Sequence, residues 1–317
     1  MAAQISMLEA LADPRLGSNE KLSKIDTLID WSKLEFIVLP LHQAVTGRPA
    51  YPALVMLKAV YLQSLYDLSD PGLEEALLDR LSFRKFCGFG LDQTTPDETT
   101  ICRFRGDAAR AHVLEKCFAE ITRQLEAKGL MLKKGTLMDA TIVASSHNPL
   151  KLKAEKGAGH PKEPGAGWIN KAGKSYFGYK LHVGVDQGSG LIRKAIFTTA
   201  HCQDSEVADG LISGDEKAVY ADRAYENKHR RAALKAKGIK DRIMHRRHKH
   251  LPVLPHWQKQ RNALISKRRA PVEATFSALK RIYGKGRARC HSLLVNAADY
   301  FAFAAIYNLR RAVIITQ

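Results

Sequence analysis

Three acidic residues, Asp139, Asp222 and Glu273, occur where they could assemble a catalytic metal site. Asp139 lies in the apolar run 135–145 and Asp222 ends the apolar run 217–222. Both runs are typical of buried strands, and we expect each aspartate at or near the end of its strand. Glu273 follows at the start of a predicted helix. The ends of neighbouring strands and the beginning of a covering helix can converge, and three converging carboxylates need a cation. Their oxygen atoms suit Mg²⁺ or Mn²⁺, and two such ions could drive phosphodiester cleavage.

Sequence spacing alone leaves a second interpretation open for each of these acids. A buried aspartate in a strand is often a structural hydrogen-bond acceptor. A lone carboxylate in a very basic stretch, as Glu273 is, can equally be paired off by the cations around it. Further features are needed to choose between structure and chemistry.

The basic residues are concentrated in one part of the chain. The formal net charge is +18, and residues 228–289, here called the basic segment, contain 20 Lys and Arg against two acids, Asp241 and Glu273. Residues 1–127 contain 14 basic and 18 acidic side chains. A charge surplus confined to one segment favours a binding face for a polyanion such as nucleic acid.

Composition excludes several other classes of protein. The 317 residues can form two domains with buried cores, and the five cysteines are scattered without any CxxC pair, which argues against disulfides and a cysteine zinc site. The N-terminus lacks the pattern of a secretory signal. The apolar segment 293–315 is interrupted by polar and charged residues, so we expect a buried helix, a cytoplasmic protein and no membrane partner.

Residues 1–127 predict an all-helical domain. Apolar residues recur every three or four positions in 54–65, and helix starts are predicted at 69–77 and 94–101, where Pro and acids come early. Short helices joined by tight turns are compatible with a DNA-reading helix-turn-helix and equally with a bundle used for folding or dimerisation. The acidic balance of this region weakens the first alternative.

Residues 128–317 predict a mixed sheet covered by helices. Strands are expected at 135–145, 176–185, 191–197, 217–222 and 239–244, with helices from Asp204 and at 226–237. The region 147–174 is rich in Gly, Pro and Lys and predicts a mobile loop. The run 245–250 predicts a basic loop in which Arg246 and Arg247 contact DNA. Its three histidines do not have a common zinc-ligand spacing.

Several stretches resemble the insertion-sequence-five family of bacterial DDE transposases, and together they cover nearly the whole chain. The stretch 138–141 resembles the first-aspartate strand and 219–225 resembles the second-aspartate motif. Arg269, Glu273 and Lys280 have the spacing of the third-acid signature. Further matching stretches are 173–180, 198–205 and the helical region 51–105.

The resemblance implies a ribonuclease-H-like α/β core with Asp139, Asp222 and Glu273 as catalytic metal ligands. It implies an enzyme that binds the terminal inverted repeats of its element, cleaves DNA with two Mg²⁺ or Mn²⁺ ions and transfers 3′-hydroxyl ends to target DNA. Two ends must be paired, so a homodimer or larger assembly on double-stranded DNA in the bacterial nucleoid is expected. DNA contacts are assigned to the basic residues of the matching stretches and the basic loop: Arg269, Lys280, Arg223, Lys180, Lys174, Arg246 and Arg247.

Two positions depart from the family pattern. Ser266 stands where a Tyr usually precedes the Arg, and Gln203 stands where a His usually precedes Asp204. Residues 269, 273, 276 and 280 would share one face of a continuous helix, whereas Pro271 at a first helical position would leave Arg269 outside it. Two alternative functions stay open: a catalytically silent DNA-binding protein derived from a transposase, and a nuclease without strand transfer.

Overall fold

The computed structural model describes residues 17–41, 50–146, 163–171, 173–247 and 251–317. They fall into two compact units. One contains the described residues up to Leu125 together with Phe301–Gln317, and the other contains those of Glu126–Tyr300. The first unit is helical and the second is built on a β-sheet. No helix in these described ranges has the length and apolarity needed to cross a membrane.

The helices of the first unit begin where local capping chemistry favours them. Ser69 Oγ accepts a hydrogen bond from the Gly72 amide at 3.1 Å, and Asp97 Oδ1 accepts one from Thr100 at 2.7 Å, so both predicted helix starts are confirmed. The helix Ala53–Tyr66 is almost entirely buried. In chain order the helices are α1 Glu20–Leu28, α2 Trp31–Val38, α3 Ala53–Tyr66, α4 Asp70–Asp79, α5 Leu81–Cys87, α6 Glu98–Arg110 and α7 Val113–Ala127.

The second unit contains a six-stranded mixed sheet. Its strand order is β2-β3-β1-β5-β6, with β4 also paired to β3; β3 is antiparallel to β1, β2 and β4, whereas β1·β5 and β5·β6 are parallel. The strands are β1 Thr136–Ala144, β2 Gly167–Lys171, β3 Lys174–Asp186, β4 Ile192–Thr199, β5 Ala218–Ala221 and β6 Lys240–Ile243. The α/β class and five of the six strands are as the sequence predicts.

Helices cover both faces of this sheet. They are α8 Asp204–Val207, α9 Lys228–Ala236, α10 His256–Arg269, α11 Pro271–Arg281 and α12 Leu293–Ile315, whose residues from Phe301 onward belong to the first unit. Met138, Val219, Tyr225, Leu234 and Ile243 form part of one apolar cluster on the face that α9 covers. Burying each large apolar side chain contributes about 1.5–3 kcal/mol, so this cluster fixes the positions of β1 and β5.

One strand was not predicted. Residues 167–171 fall within the region expected to be a loop, but they form β2 and pair with the first residues of β3. The strand is only five residues long, and the Gly and Pro residues of the surrounding sequence are typical of a loop, so its alternation of side chains was not recognised. Residues 147–162 of the predicted loop lie outside the described residues.

Candidate active site

Asp139 lies at the middle of the central strand β1. It is opposite Val183 of β3, its side chain is 21% exposed, and its Oδ1 accepts a hydrogen bond from the Ala140 amide at 2.9 Å. The strand is held by pairing partners on both sides. The carboxylate therefore projects from a strand in the interior of the sheet.

Asp222 follows β5 directly and lies beside Asp139. The parallel register pairs Leu137 with Tyr220, so the two aspartates are each two residues beyond a paired position on strands about 4.8 Å apart. Asp222 Oδ1 accepts a hydrogen bond from the Ala224 amide at 2.8 Å and thereby caps a short 3₁₀ turn over Arg223–Tyr225. This register, which the sequence could not reveal, brings together two acids that are 83 positions apart, and it places Asp139 in the middle of its strand and not near the end as expected.

The two carboxylates interact electrostatically. Burial raises the pKa of Asp139 above its ordinary value; the guanidinium of Arg269 counteracts that rise, and the negative charge of Asp222 adds to it. A negative charge on the neighbouring strand disfavours ionisation of Asp139 unless a cation is present. A cation beside the two carboxylates would therefore stabilise their negative charges.

Arg269 supplies positive charge in this structure. Its Nη1 lies 2.7 Å from Asp139 Oδ2, and both side chains are largely buried. Arg269 is the last residue of α10, whereas Pro271 begins α11. Of the two alternatives, the one in which Pro271 begins a helix and leaves Arg269 outside it is therefore confirmed, because the helix is interrupted at Ala270. Arg269 reaches the carboxylate from outside α11.

Glu273 lies in the first turn of α11, a helix that packs against β1. Val272, Thr275 and Leu279 form the buried face of the helix, and Glu273 is exposed. Within the described ranges, no group of three or more His, Cys, Asp or Glu side chains is arranged to hold a metal. The strand register places Asp139 and Asp222 side by side, and the role of Glu273 as third ligand stays a prediction.

Two parts of the chain match known protein families. Residues 131–309 match the family described as Transposase DDE domain, and residues 11–107 match the one described as Transposase domain (DUF772). The chain belongs to the DDE transposase family. Comparison with solved structures finds no match. The first match spans β1, β5 and α11 and hence all three candidate acids.

DDE transposases generally use divalent metals, and part of this site fits such an ion. Asp139 and Asp222 offer the oxygen donors that Mg²⁺ prefers, and the Arg269 guanidinium stands in as a cation beside Asp139. Arg269 Nε and Nη1 are both buried without a hydrogen-bond partner among the described residues, so the contact with Asp139 is an ion pair that lacks hydrogen-bond geometry.

The basic residues assigned to DNA have different environments in this transposase. Six of the seven basic residues are at least partly exposed on the second unit. Arg269 is half-buried, and the exposed ones are Arg223, Lys280, Lys174, Arg246 and Arg247. Arg223 follows Asp222 directly, and Lys280 lies two turns along α11 from Glu273. Ser266, at the position of the missing Tyr, is exposed on α10.

Lys180 differs from the other candidates because it is buried. Its Nζ donates to the Cys202 carbonyl oxygen at 2.8 Å and to Asp204 Oδ1 at 2.9 Å. His182 lies next to this pair on the same face of β3, with its Nε2 3.0 Å from Thr198 Oγ1. The structure thus places Lys180 among internal acceptors and not at the surface.

Arg230 and Tyr225 contribute to the site without having been singled out in the sequence. Arg230 is buried and donates to Asp209 Oδ1 at 2.6 Å, the Ser205 carbonyl at 2.6 Å and the Tyr225 carbonyl at 2.5 Å, which anchors the turn capped by Asp222. Burial raises the pKa of Tyr225, and the charges of Asp204, Asp139 and Asp222 raise it further. The only sequence signal was that Tyr225 belongs to the stretch 219–225, which resembles the second-aspartate motif.

Proposed function

We propose that this transposase is a member of the insertion-sequence-five family. It binds the terminal inverted repeats of its own insertion sequence, cleaves their phosphodiester bonds and transfers the 3′-hydroxyl ends to target DNA. The observation that carries the proposal is the side-by-side position of Asp139 and Asp222 on parallel strands, with Arg269 against Asp139. A mixed sheet with antiparallel and parallel strands supports a ribonuclease-H-like catalytic core.

Asp139, Asp222 and Glu273 are the residues we assign to two Mg²⁺ or Mn²⁺ ions. When bound, such ions activate the attacking hydroxyl and stabilise the leaving oxygen. The presence of Glu273 in the first turn of a helix packed on β1 supports its assignment as the third acid. The two aspartates hold fixed negative charge on rigid strands, which positions a cation and orients the reacting phosphate.

Arg269 has two roles in the proposed reaction. It neutralises Asp139 in the absence of an ion, as its 2.7 Å contact indicates. Its planar guanidinium can also bind a phosphate through two parallel hydrogen bonds. Displaced from Asp139, it would compensate the charge of the DNA phosphate beside the carboxylates.

The exposed basic residues supply the DNA-binding surface. Arg223 and Lys280 lie nearest in sequence to the candidate acids, and Lys174, Arg246 and Arg247 extend the surface. Each phosphate contact releases counterions, so binding should weaken steeply with salt. Lys180 is not part of this surface, because its ammonium group is paired with Asp204.

The assembly and location follow from the reaction. Two element ends require at least a dimer on double-stranded DNA, and DNA as substrate implies the cytoplasm and nucleoid. Residues 1–127 are proposed as the domain for end binding, dimerisation or both, and 128–317 as the catalytic domain.

A catalytically silent DNA-binding protein is the second candidate, and one observation favours it: the guanidinium of Arg269 already pairs with the Asp139 carboxylate that a catalytic ion would need. The test incubates the wild-type chain with Mg²⁺, a terminal-repeat duplex and a target plasmid. Cleavage followed by joining supports the transposase, and cleavage without joining indicates a nuclease. Binding without cleavage indicates the silent protein. Asp107→Ala, a change at an exposed acid of α6, is the matched control that should behave like wild type.

A further inference from the structure

The strands β2 and β3 form a hairpin that extends beyond the rest of the sheet. Lys174–Phe177 of β3 pair with β2, and pairing of β3 with β1 begins only at Gly178. Among the described residues, no other strand pairs with β2. Eight residues of the range 168–176 are described, and seven of them are exposed. The exception is Ile169, which is half-buried.

The base of this hairpin is held tightly. Gly167 and Gly178 are paired across it. A Cβ on Gly178 would lie 2.2 Å from the Val143 carbonyl oxygen, and one on Gly167 would lie 2.4 Å from Thr199 Oγ1. Only glycines allow the two strands to pass so close to β1 and to the end of β4. The exposed part therefore projects from a closely packed base.

The two faces of the hairpin differ chemically. Side chains alternate along a strand and cross-strand partners share a face. One face carries the paired Asn170 and Ser175, next to Trp168 and Phe177, whose rings are 5.2 Å apart. Neither Asn170 nor Ser175 makes a side-chain hydrogen bond within the described part of the chain.

The opposite face carries positive charge. Lys171 and Lys174 are paired at the tip, and Ile169 pairs with Tyr176 behind them. Residues 167–180 contain no acid, so this charge is not offset within the hairpin. Gly173, with φ 77°, lies between the two lysines in the backbone conformation that a tight turn requires.

We propose that this hairpin enters a groove of the terminal-repeat DNA and reads its sequence. Asn170 and Ser175 contact base edges, and Lys171 and Lys174 contact phosphates. The inference rests on the proposed function, because it names the element that selects the DNA end. A two-stranded ribbon fits the major groove, where an Asn amide can pair with adenine and a hydroxyl can bond to any base edge.

The hairpin and the catalytic carboxylates share one side of the sheet. Asp139 is opposite Val183, and alternation along β3 places Ser175 on the same face as Val183. The nine residue-to-residue steps from Val183 to Lys174 span at most about 30 Å. At about 3.4 Å per base pair, the bases read by the hairpin lie within about nine base pairs of the cleaved phosphate.

The test measures binding of the full chain, without divalent metal, to a duplex carrying the element's own inverted-repeat end and to a scrambled duplex. The double variant Asn170→Ala/Ser175→Ala should reduce the ratio of the two affinities by about tenfold or more and leave binding to scrambled DNA unchanged. Single base-pair substitutions should show that the variant has lost its preference only at positions within about nine base pairs of the cleavage site. A structural defect would not produce loss confined to those positions.

The matched variant Lys171→Ala/Lys174→Ala should weaken binding to both duplexes equally and reduce the slope of log K against log salt by about 1.8. Equal thermal unfolding of all variants verifies the fold. The proposal is overturned if Asn170→Ala/Ser175→Ala still distinguishes the terminal-repeat duplex from the scrambled duplex as well as wild type does. If the oligomeric state of that variant has changed at the same time, the hairpin instead contacts a second copy of the chain. A wild-type chain that does not distinguish the two duplexes overturns the proposed function as well.

Discussion

Arg269 Nη1 lies 2.7 Å from Asp139 Oδ2, so an arginine occupies the place of positive charge beside a candidate metal ligand. The pair joins the end of α10 to the middle of β1. Asp139 has a raised pKa because it is buried, with Asp222 on the neighbouring strand adding to the effect. The arginine therefore relieves a repulsion that a divalent cation would also relieve, and in the proposed function the two cations would compete for one carboxylate.

This competition predicts opposite effects of Arg269→Ala on metal binding and on catalysis. The variant should bind Mn²⁺ about fivefold more tightly, equivalent to about 1 kcal/mol for a partly exposed ion pair, because Asp139 is freed. DNA cleavage should decrease, because a phosphate-binding guanidinium is lost. Calorimetric titration with Mn²⁺ and single-turnover cleavage measure the two effects. Arg268→Ala, at the exposed neighbouring position, is the control; weaker metal binding by Arg269→Ala would contradict the competition.

The raised pKa of Asp139 predicts how its contribution to stability depends on pH. A carboxyl group with a higher pKa in the folded than in the unfolded state stabilises the fold most at low pH. That contribution is lost as the pH rises through the folded-state pKa. In metal-free buffer, Asp139→Asn should therefore gain stability relative to wild type as the pH increases above about 4. Urea unfolding from pH 3 to 7 measures the difference, and a flat or falling difference would refute the assignment.

The Lys180–Asp204 pair predicts a structural role for a lysine that the sequence analysis assigned to DNA. Removing one partner of a buried ion pair costs about 3 kcal/mol, so Lys180→Met should lower the free energy of unfolding by about that amount. Lys280→Met, at an exposed position, should leave stability nearly unchanged and weaken DNA binding. Denaturant unfolding and salt-dependent binding of both variants separate the two roles. A stable Lys180→Met with a reduced salt slope would restore the DNA assignment.

His182 is expected to remain neutral in the folded protein across the physiological range. Burial lowers its pKa to about 4; the charge of Asp204 opposes this shift, and that of Lys180 adds to it. A base with a lowered folded-state pKa stabilises the fold above its unfolded value near 6.5 and loses that contribution as the pH falls towards 4. NMR titration of the imidazole, assigned with His182→Gln, should show no transition above pH 5. A midpoint near 6.5 would disprove the buried neutral state.

The sequence predicted the strands that carry chemistry better than it predicted side-chain environments. Apolar runs located β1 and β5, but only the pairing of Leu137 with Tyr220 brings Asp139 and Asp222 together. The break at Ala270 was indicated by Pro271, whereas the reach of Arg269 to Asp139 depends on how α10 packs. Lys180 lies between apolar neighbours, and its partner Asp204 is 24 positions away. Local pattern does not encode such distant contacts.

Metal-dependent cleavage by single-site variants tests the central claim most directly. Wild type, Asp139→Ala, Asp222→Ala and Glu273→Ala are compared on a terminal-repeat duplex with Mg²⁺ under single-turnover conditions, with end binding measured in parallel. Each variant should retain binding and lose cleavage by more than about a hundredfold, the upper range for residues that only support metal ligands. Retained cleavage by Asp139→Ala or Asp222→Ala would contradict the account.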